Sequence, residues 1–280
     1  MIIQQFYKEK LENGRTDGKG GLSPTSVLYI HRVLNEALNH AVKVYNLLSR
    51  NPMDNVKPPK KRKARVEVYN ENELTDFLHY VKDHKLETAA YLAFGLGMRR
   101  GEILGLTWSN VDLNNKKIFI RETLVYTKET GLITKPPKSE ESIRDIDLPD
   151  TIVDILKNTQ QRQEENRKFF KKEYIESDYV ICEDNGILIT PNAFSKRFKT
   201  LINNFEIDKK TTLHGLRHAW ATIQLKYGTP LKVVSSLIGH STGQITQDTY
   251  QHALEDMNKE AAKKMDEGIF KELKKNHINS

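Results

Sequence analysis

The sequence predicts a mainly α-helical α+β protein that contains a small antiparallel β-sheet and is divided into two domains. Apolar residues recur at helical spacing over several stretches of the 280-residue chain. Residues 118–126 and 143–148 instead carry the β-branched, aromatic or alternating pattern of strands. A run of basic residues and prolines at 57–65 interrupts these patterns. We therefore expect one domain over residues 1–62 and a second over residues 63–280.

The first domain is predicted to be a small helical unit. Ser23 followed by Pro24 is typical of a helix start, and apolar residues then recur at helical spacing. We expect this helix to end near Arg50, since Asn51 and the proline after it disfavour continuation. A shorter helix is expected within residues 2–13. So few residues can form only a marginal hydrophobic core.

The basic run is predicted to be an interdomain linker. Six of the nine residues from Lys57 to Arg65 are basic and two are prolines, which block regular structure. The run is either a solvated tether or a strap that lies along phosphates, and the charge favours the strap.

The second domain is predicted to begin with two helices. Asn70 and the acidic residues after it are typical of a helix start, and residues 87–96 are apolar on several sides, which indicates a buried helix. The two predicted strands follow, with a turn or strand entrance at residues 135–139 between them. A short strand at 179–181 and a helix that begins at 190–191 come next, and helices are expected from there to the end.

Composition excludes several classes of protein. Lysine and arginine total 44 against 37 aspartate and glutamate residues, a formal net charge of +7, and 38% of residues are hydrophobic. No apolar stretch approaches the roughly 18 residues that a membrane span needs. The single cysteine, Cys182, excludes an internal disulfide and a thiolate-rich zinc site. A reducing cytoplasm fits, and we expect no membrane contact. The modest positive charge alone is a weak indication of a nucleic-acid partner.

Four short segments place strongly polar residues beside apolar ones. Each has an ordinary structural explanation when taken alone: an arginine can pair with a glutamate one helical turn away, and a histidine can cap a helix. The polar residues of the four segments are Arg99 with Glu102, then Lys138, then His214 with Arg217, and finally His240 with Tyr250.

Taken together, the four segments resemble the tyrosine recombinase, or phage integrase, family. The shared pattern is Gly-x-Arg-x-x-Glu, a lysine in a turn, His-x-x-Arg, Gly-His-Ser and a tyrosine ten residues after that histidine. The resemblance covers about residues 20–255 and implies a recombinase catalytic domain behind a partial core-binding domain. It implies a site-specific recombinase for integration or excision of a phage or conjugative mobile element. It makes Tyr250 the nucleophile, with five supporting catalytic residues: Arg99, Lys138, His214, Arg217 and His240.

The chemistry of strand transfer explains these residue types. Attack on a phosphodiester concentrates negative charge on the phosphate oxygens, and guanidiniums can donate paired hydrogen bonds to them at any working pH. Tyrosine has an ordinary pKa of about 10 and needs a base, for which His214 is the candidate. The resemblance makes Lys138 the acid that protonates the leaving 5′ oxygen, and His240 a hydrogen-bond donor to the phosphate. It makes Glu102 the residue that orients Arg99. The scheme requires no metal, ATP or other cofactor.

The resemblance also implies partners. Double-stranded DNA is the substrate, and basic residues of the linker and of the helix near residue 196 are expected to hold its phosphates. The resemblance implies a homotetramer on paired DNA sites and admits an excisionase. An amphipathic helix over residues 254–275 would pack on a neighbouring protomer or on its own domain, and the sequence leaves both open. The expected DNA-contact residues are Lys60, Lys61, Arg62, Lys196, Arg197 and Lys199.

Three other functions were weighed. His214 and His218 have the spacing of a zinc-binding pair, but glycine follows His214, no third ligand is evident, and no acidic cluster for two divalent cations appears. A remnant that binds DNA without strand exchange is disfavoured because all six catalytic positions are intact. A DNA-relaxing enzyme of the type IB kind shares the chemistry and remains an alternative.

Overall fold

The computed structural model describes residues 2–60, 69–137, 142–206, 211–239, 259, 261–268 and 270. It separates into two compact units, Met1–Val66 and Glu67–Ser280. Several predicted residues lie outside the described ranges: Lys61, Arg62, Lys138, His240, Tyr250 and most of 254–275. No helix in the described part of the chain is both long enough and apolar enough to cross a membrane.

The smaller unit consists of α1 (Ile2–Asn13), α2 (Pro24–Lys43) and a short 3₁₀ helix (Pro52–Asn55). The hydroxyl of Ser23 accepts a hydrogen bond from the Ser26 N–H, as expected for an N-cap. Buried Tyr7, Val27 and Met53 form a small core between these elements.

The predicted end of α2 near Arg50 was wrong. The helix ends at Lys43, and Asn46 has a left-handed φ of 52°. Val44 and Leu47, which would extend the apolar face, are exposed. Helical spacing without packing against a core does not maintain a helix, because most helical stability in proteins comes from tertiary contacts.

The larger unit begins with α3 (Glu71–Tyr80), α4 (Glu87–Gly95) and the short α5 (Arg100–Gly105). Asn70 and Glu73 form the reciprocal capping box that starts α3, with hydrogen bonds of 3.0 and 2.7 Å. The later helices are α6 (Asp150–Phe170), α7 (Pro191–Asn204), α8 (Leu213–Lys226) and α9 (Leu231–Leu237). Helix α6 had not been predicted, because only its first half contributes buried residues and the remainder is polar.

Among the described residues of the larger unit, five strands form two small antiparallel sheets. One sheet has the order β1 (Val111–Asp112), β2 (Lys117–Ile120), β5 (Arg144–Asp147), and the other is the hairpin of β3 (Thr123–Thr127) and β4 (Gly131–Lys135). In the first sheet, Ile118 pairs with Ile146 and Ile120 with Arg144. This register places Arg144 on the buried face of β5.

The single strand predicted over residues 118–126 was wrong, since β2 and β3 belong to different sheets. Ile118, Ile120 and Leu124 are buried in one alternating phase, but Glu122 falls in the same phase and is exposed. Burying an unpaired carboxylate costs too much free energy, so the chain leaves the sheet there. The predicted strand at 179–181 forms only an isolated bridge, between Tyr179 and Thr107.

The core of the larger unit brings the site-bearing segments together. Helix α4 packs against α6 and α8, and α5 packs against β3. Leu92 of α4, Leu104 of α5 and Leu216 of α8 are completely or almost completely buried. The start of α5 and the first turns of α8 are therefore fixed by the same apolar core.

Candidate active site

Of the six predicted catalytic residues, the structure describes Arg99, His214 and Arg217, together with the supporting Glu102. Arg99 immediately precedes α5, whereas His214 and Arg217 lie in the first two turns of α8. The segment that ends at Gly239 joins them, because carbonyl groups there accept hydrogen bonds from both arginines. Residues far apart in sequence thus meet in one place.

Arg99 is held by Glu102 and by the backbone. Its Nη1 donates to Glu102 Oε1 at 2.8 Å, and its backbone N–H donates to Glu102 Oε2 at 2.8 Å. Its Nη2 donates to the carbonyl of Gly239. The side chain remains 35% exposed. Its guanidinium is thus oriented and still accessible to an anion.

Glu102 is buried between two arginines. Its side chain is only 1% exposed, and both carboxylate oxygens also accept from Arg144, at 3.1 and 2.9 Å. Burial by itself raises the pKa of Glu102, but the hydrogen bonds and charge of Arg144, with those of Arg99, lower the pKa below its ordinary value overall. The carboxylate is therefore ionised at neutral pH.

Arg217 is held by backbone carbonyls. It is 1% exposed, and its two terminal nitrogens donate to the carbonyls of Gly97 and Ile238. Both glycines of this network, Gly97 and Gly239, have left-handed φ angles, 62° and 60°. A Cβ on Gly97 would lie 2.9 Å from the Trp220 ring, so only glycine fits there.

Three consecutive carbonyls before His240 each accept from a different arginine. Arg144 Nε donates to the Leu237 carbonyl at 2.6 Å, Arg217 to that of Ile238 and Arg99 to that of Gly239. Two of these guanidiniums, those of Arg99 and Arg144, pair with the Glu102 carboxylate. Three arginines and one carboxylate give the cluster a net charge of +2. This arrangement can attract and orient an anionic group such as a phosphodiester.

His214 lies at the exposed edge of this cluster. The surrounding protein partly withdraws its imidazole from water, which is the main cause that lowers its pKa, and the positive charges of Arg217 and Arg99 lower it further. The ring of His218 packs edge-on against it, with ring centroids 4.3 Å apart. A neutral imidazole beside two cations can accept a proton, as a general base must.

The expected DNA-contact residues that the structure describes are all exposed. Lys60 lies at the end of the smaller unit's described residues, and Lys196, Arg197 and Lys199 lie on α7. The Arg197 guanidinium forms an ion pair with Glu183 at 2.7 Å. Their role in DNA binding stays a prediction.

Arg144 is the site residue that the sequence analysis missed. It lies on β5, and its side chain is only 6% exposed. The available signal was alternation, since Arg144 falls in the same phase as Ile146 and Leu148, which are buried. A charged residue in the buried phase of a short strand indicates an internal partner, here Glu102.

Across the described ranges, no three His, Cys, Asp or Glu side chains lie close enough together to hold a metal ion. The described site residues are chemically suited to binding a phosphate. They comprise the partly exposed Arg99 guanidinium, the buried Arg217 guanidinium and the His214 imidazole with its lowered pKa.

Comparison with known proteins places this site in context. The model of the phage integrase family matches residues 66–257. The chain is 28% identical over 269 residues to a tyrosine recombinase XerC-like protein of Caldanaerobacter subterraneus subsp. tengcongensis, an alignment over 90% of this chain and 66% of that protein. The chain thus spans just under two thirds of the length of this relative.

Solved structures share the fold. The Tn1549 transposon integrase in complex with transposon right end DNA matches with a TM-score of 0.75 at 20% identity, over 92% of this chain and 84% of that one. A lambda integrase tetramer bound to a Holliday junction matches with a TM-score of 0.58 at 15% identity, over 81% of this chain and 59% of that one.

Proposed function

The chain belongs to the phage integrase family, and on this premise we propose that it is a site-specific DNA recombinase. It cleaves and rejoins strands of double-stranded DNA through a covalent 3′-phosphotyrosine intermediate. The reaction integrates or excises a phage or conjugative mobile element in the bacterial cytoplasm. The similar proteins named as a transposon integrase and as a tyrosine recombinase support this proposal.

One observation carries the proposal. Arg99 and Arg217 come from segments 118 residues apart and donate to adjacent carbonyls, those of Gly239 and Ile238, immediately before His240. His214 lies close enough for both charges to lower its pKa. A purely structural arginine pair does not require an imidazole beside it, whereas phosphoryl transfer by a tyrosine requires a base.

In the proposed reaction, the Tyr250 oxygen attacks the phosphorus, and the bond from phosphorus to the 5′ oxygen breaks. The tyrosine proton passes to His214, and Lys138 protonates the leaving 5′ oxygen. Arg99, Arg217 and His240 donate to the phosphate oxygens, where negative charge develops. A 5′-hydroxyl of another strand then attacks the phosphotyrosine, which restores the tyrosine and joins the new strand.

Three kinds of partner extend the proposal: DNA, further protomers and an excisionase. The exposed cations of α7 and the linker cations, Lys60, Lys61 and Arg62, are proposed to hold DNA phosphates. Four protomers are proposed to assemble on paired sites through the 254–275 segment, with an excisionase as a further partner. The described residues 261–267 of this segment are helical and exposed. The lambda integrase tetramer supports this arrangement by similarity of fold.

The test uses nicked duplexes cut from the ends of the element that encodes the chain, incubated with excess EDTA. Cleavage releases the short strand beside the nick, so the covalent protein–DNA adduct accumulates and is seen on a denaturing gel. We expect an adduct with wild type and none with Tyr250→Phe, because the phenyl ring lacks the attacking oxygen. Tyr227→Phe, at an exposed tyrosine just after α8, is the matched control and should react like wild type.

Each other outcome contradicts the proposal in a distinct way. DNA binding without any adduct would favour the DNA-binding remnant, and adduct formation by Tyr250→Phe would reject Tyr250 as nucleophile. Cleavage that needs added magnesium would contradict the metal-free scheme. Relaxation of supercoiled DNA without a preferred site would favour the type IB-like enzyme.

A further inference from the structure

The Glu102 carboxylate is shared by two arginines that approach it from different elements. Arg99, at the start of α5, donates to Oε1 from its side chain and to Oε2 from its backbone N–H. Arg144, on β5, donates to both oxygens from its two terminal nitrogens, at 3.1 and 2.9 Å. A fork of this kind fixes the plane of a carboxylate as well as its position. The geometry of Arg99 therefore depends on the geometry of Arg144.

Arg144 is itself anchored independently of Glu102. Its Nε donates to the Leu237 carbonyl at 2.6 Å, and its Nη1 donates to the Ser142 carbonyl at 3.1 Å. These two bonds attach the guanidinium to two separate backbone segments, so that its fork points at Glu102 before any ligand is present. The pairing of β5 with β2 holds the Arg144 backbone in turn.

The burial of this triad shows how it acts. Glu102 is 1% exposed and Arg144 is 6% exposed, whereas Arg99 is 35% exposed. The inner arginine is shielded from the surface, and only the outer arginine is accessible to a phosphate. Without Arg144, the Glu102 carboxylate can turn both oxygens toward the Arg99 guanidinium. The Arg99 N–H groups are then drawn away from the phosphate.

We propose that Arg144 is a positioning residue for strand cleavage, which acts through Glu102 to hold the Arg99 guanidinium toward the phosphate. This role rests on the proposed function. A misplacement of about 1 Å costs on the order of 100-fold in rate, so we expect Arg144→Met to slow adduct formation by about 100-fold. The affinity for duplex DNA is expected to stay at the wild-type level, because Arg144 is buried.

The experiment measures the rate of adduct formation on the nicked duplex at saturating protein, alongside DNA affinity and thermal unfolding, for a set of variants. Arg144→Met, Glu102→Gln and the double variant form a mutant cycle. If Arg144 acts through Glu102, the double variant is no slower than Glu102→Gln alone. Independent roles would instead multiply the two losses, which would overturn the proposal.

Two further variants guard against simple unfolding. Arg144→Lys keeps the buried charge, but an ammonium cannot span both carboxylate oxygens, so we expect it to fold, bind DNA and cleave about tenfold more slowly. Arg121→Met is the matched control, since Arg121 donates to the Arg144 carbonyl at 3.2 Å and pairs with Asp145 at 2.6 Å on the exposed side. It should cleave at the wild-type rate.

The two proposals fail in different ways. If wild type, Arg144→Met and Arg144→Lys all form the adduct equally fast, the role proposed for Arg144 is contradicted and strand transfer is not. Wild type that binds DNA and forms no adduct contradicts strand transfer, and the positioning role with it. The proposal is also overturned if Arg144→Met loses cleavage rate, DNA affinity and thermal stability in proportion while Arg144→Lys stays fully active. That pattern would indicate a purely structural residue.

Discussion

Arg99 stands at the start of α5 with its side chain 35% exposed, whereas Arg217 lies in the second turn of α8 and is only 1% exposed. Arg99 is oriented by the Glu102 carboxylate, which also pairs with the buried Arg144. Arg217 donates to backbone carbonyls of two different segments. The same side chain in the same proposed role is therefore held in two different ways: Arg99 by a carboxylate and one backbone carbonyl, and Arg217 by two backbone carbonyls.

The difference indicates what each arginine does for the fold. Arg217 joins Gly97, which follows α4, to Ile238, which follows α9, so its removal leaves two buried carbonyls without those donors. Removal of Arg99 takes one donor from the Gly239 carbonyl, which still accepts from the Ser142 hydroxyl at 3.4 Å, and leaves Glu102 paired with Arg144. Arg217 should therefore matter for stability and cleavage together, and Arg99 mainly for cleavage.

The largest expected effect contrasts Arg217→Ala with Arg99→Ala. Each should slow adduct formation by about 100- to 1000-fold, as loss of a preorganised donor does elsewhere. Arg217→Ala should lower the free energy of unfolding by about 2 to 6 kcal/mol, since each orphaned carbonyl costs about 1 to 3 kcal/mol. Arg99→Ala should lower it by only about 1 kcal/mol, because the lost ion pair is partly exposed. Chemical denaturation and single-turnover cleavage measure the two quantities.

The control for this contrast is Arg167→Ala. Arg167 is 37% exposed and pairs with Glu164 and Glu176 on the surface, so it matches Arg99 in exposure and in charge partner. We expect a small change in stability and no change in cleavage. Equal losses of stability from Arg99→Ala and Arg217→Ala would refute the distinction between the two anchors.

A smaller effect on stability and cleavage is expected from a change at Gly239, whose carbonyl accepts from Arg99 and which follows the carbonyl that accepts from Arg217. Its φ is 60°, and a Cβ there would lie 3.1 Å from Nη1 of both Arg99 and Arg144. Gly239→Ala should destabilise the fold by about 1 to 2 kcal/mol through the backbone and slow cleavage by about tenfold by displacing Arg99. Gly228→Ala is the matched control, because Gly228 also has a positive φ but open space around it. Slower cleavage in both variants would show that backbone strain alone is responsible.

The smallest effect concerns the pH dependence of His214. Burial, and then the charges of Arg217 and Arg99, lower its pKa below the ordinary 6.5, so the neutral base persists to lower pH than in a free histidine. The acid limb of the cleavage rate should then lie below about pH 6.5, measured over about pH 5 to 8, and should disappear in His214→Gln. An acid limb above that value, or one that persists in His214→Gln, would assign the limb to another group.

The same shift has a consequence for stability. A histidine whose pKa is lower in the folded state binds fewer protons there than in the unfolded chain. Its contribution to stability is therefore complete above the unfolded value of about 6.5 and is lost as the pH falls through the window below it. The unfolding free energy of His214→Gln should depend less on pH across that window.

Most of the helical architecture, and the family, follow from the sequence alone. Local signals were sufficient for the cap at Asn70, the start of α7 and the spacing of the polar segments, because capping and helical periodicity depend on neighbouring residues. The order and spacing of the motifs also grouped Arg99, His214 and Arg217, which the structure brings together, and their catalytic roles stay predictions.

How those residues are held in place follows from the packed fold and not from the sequence pattern. Three features depend on which surfaces pack against a partner: the end of α2, the break between β2 and β3, and the burial of Arg144. No local pattern encodes a partner that lies 42 residues away, as Glu102 does from Arg144. The carbonyls before His240 give no sequence signal, because every residue has one. Buried charge is stable only where the whole fold supplies its counter-charge, and that supply is a property of the packed chain.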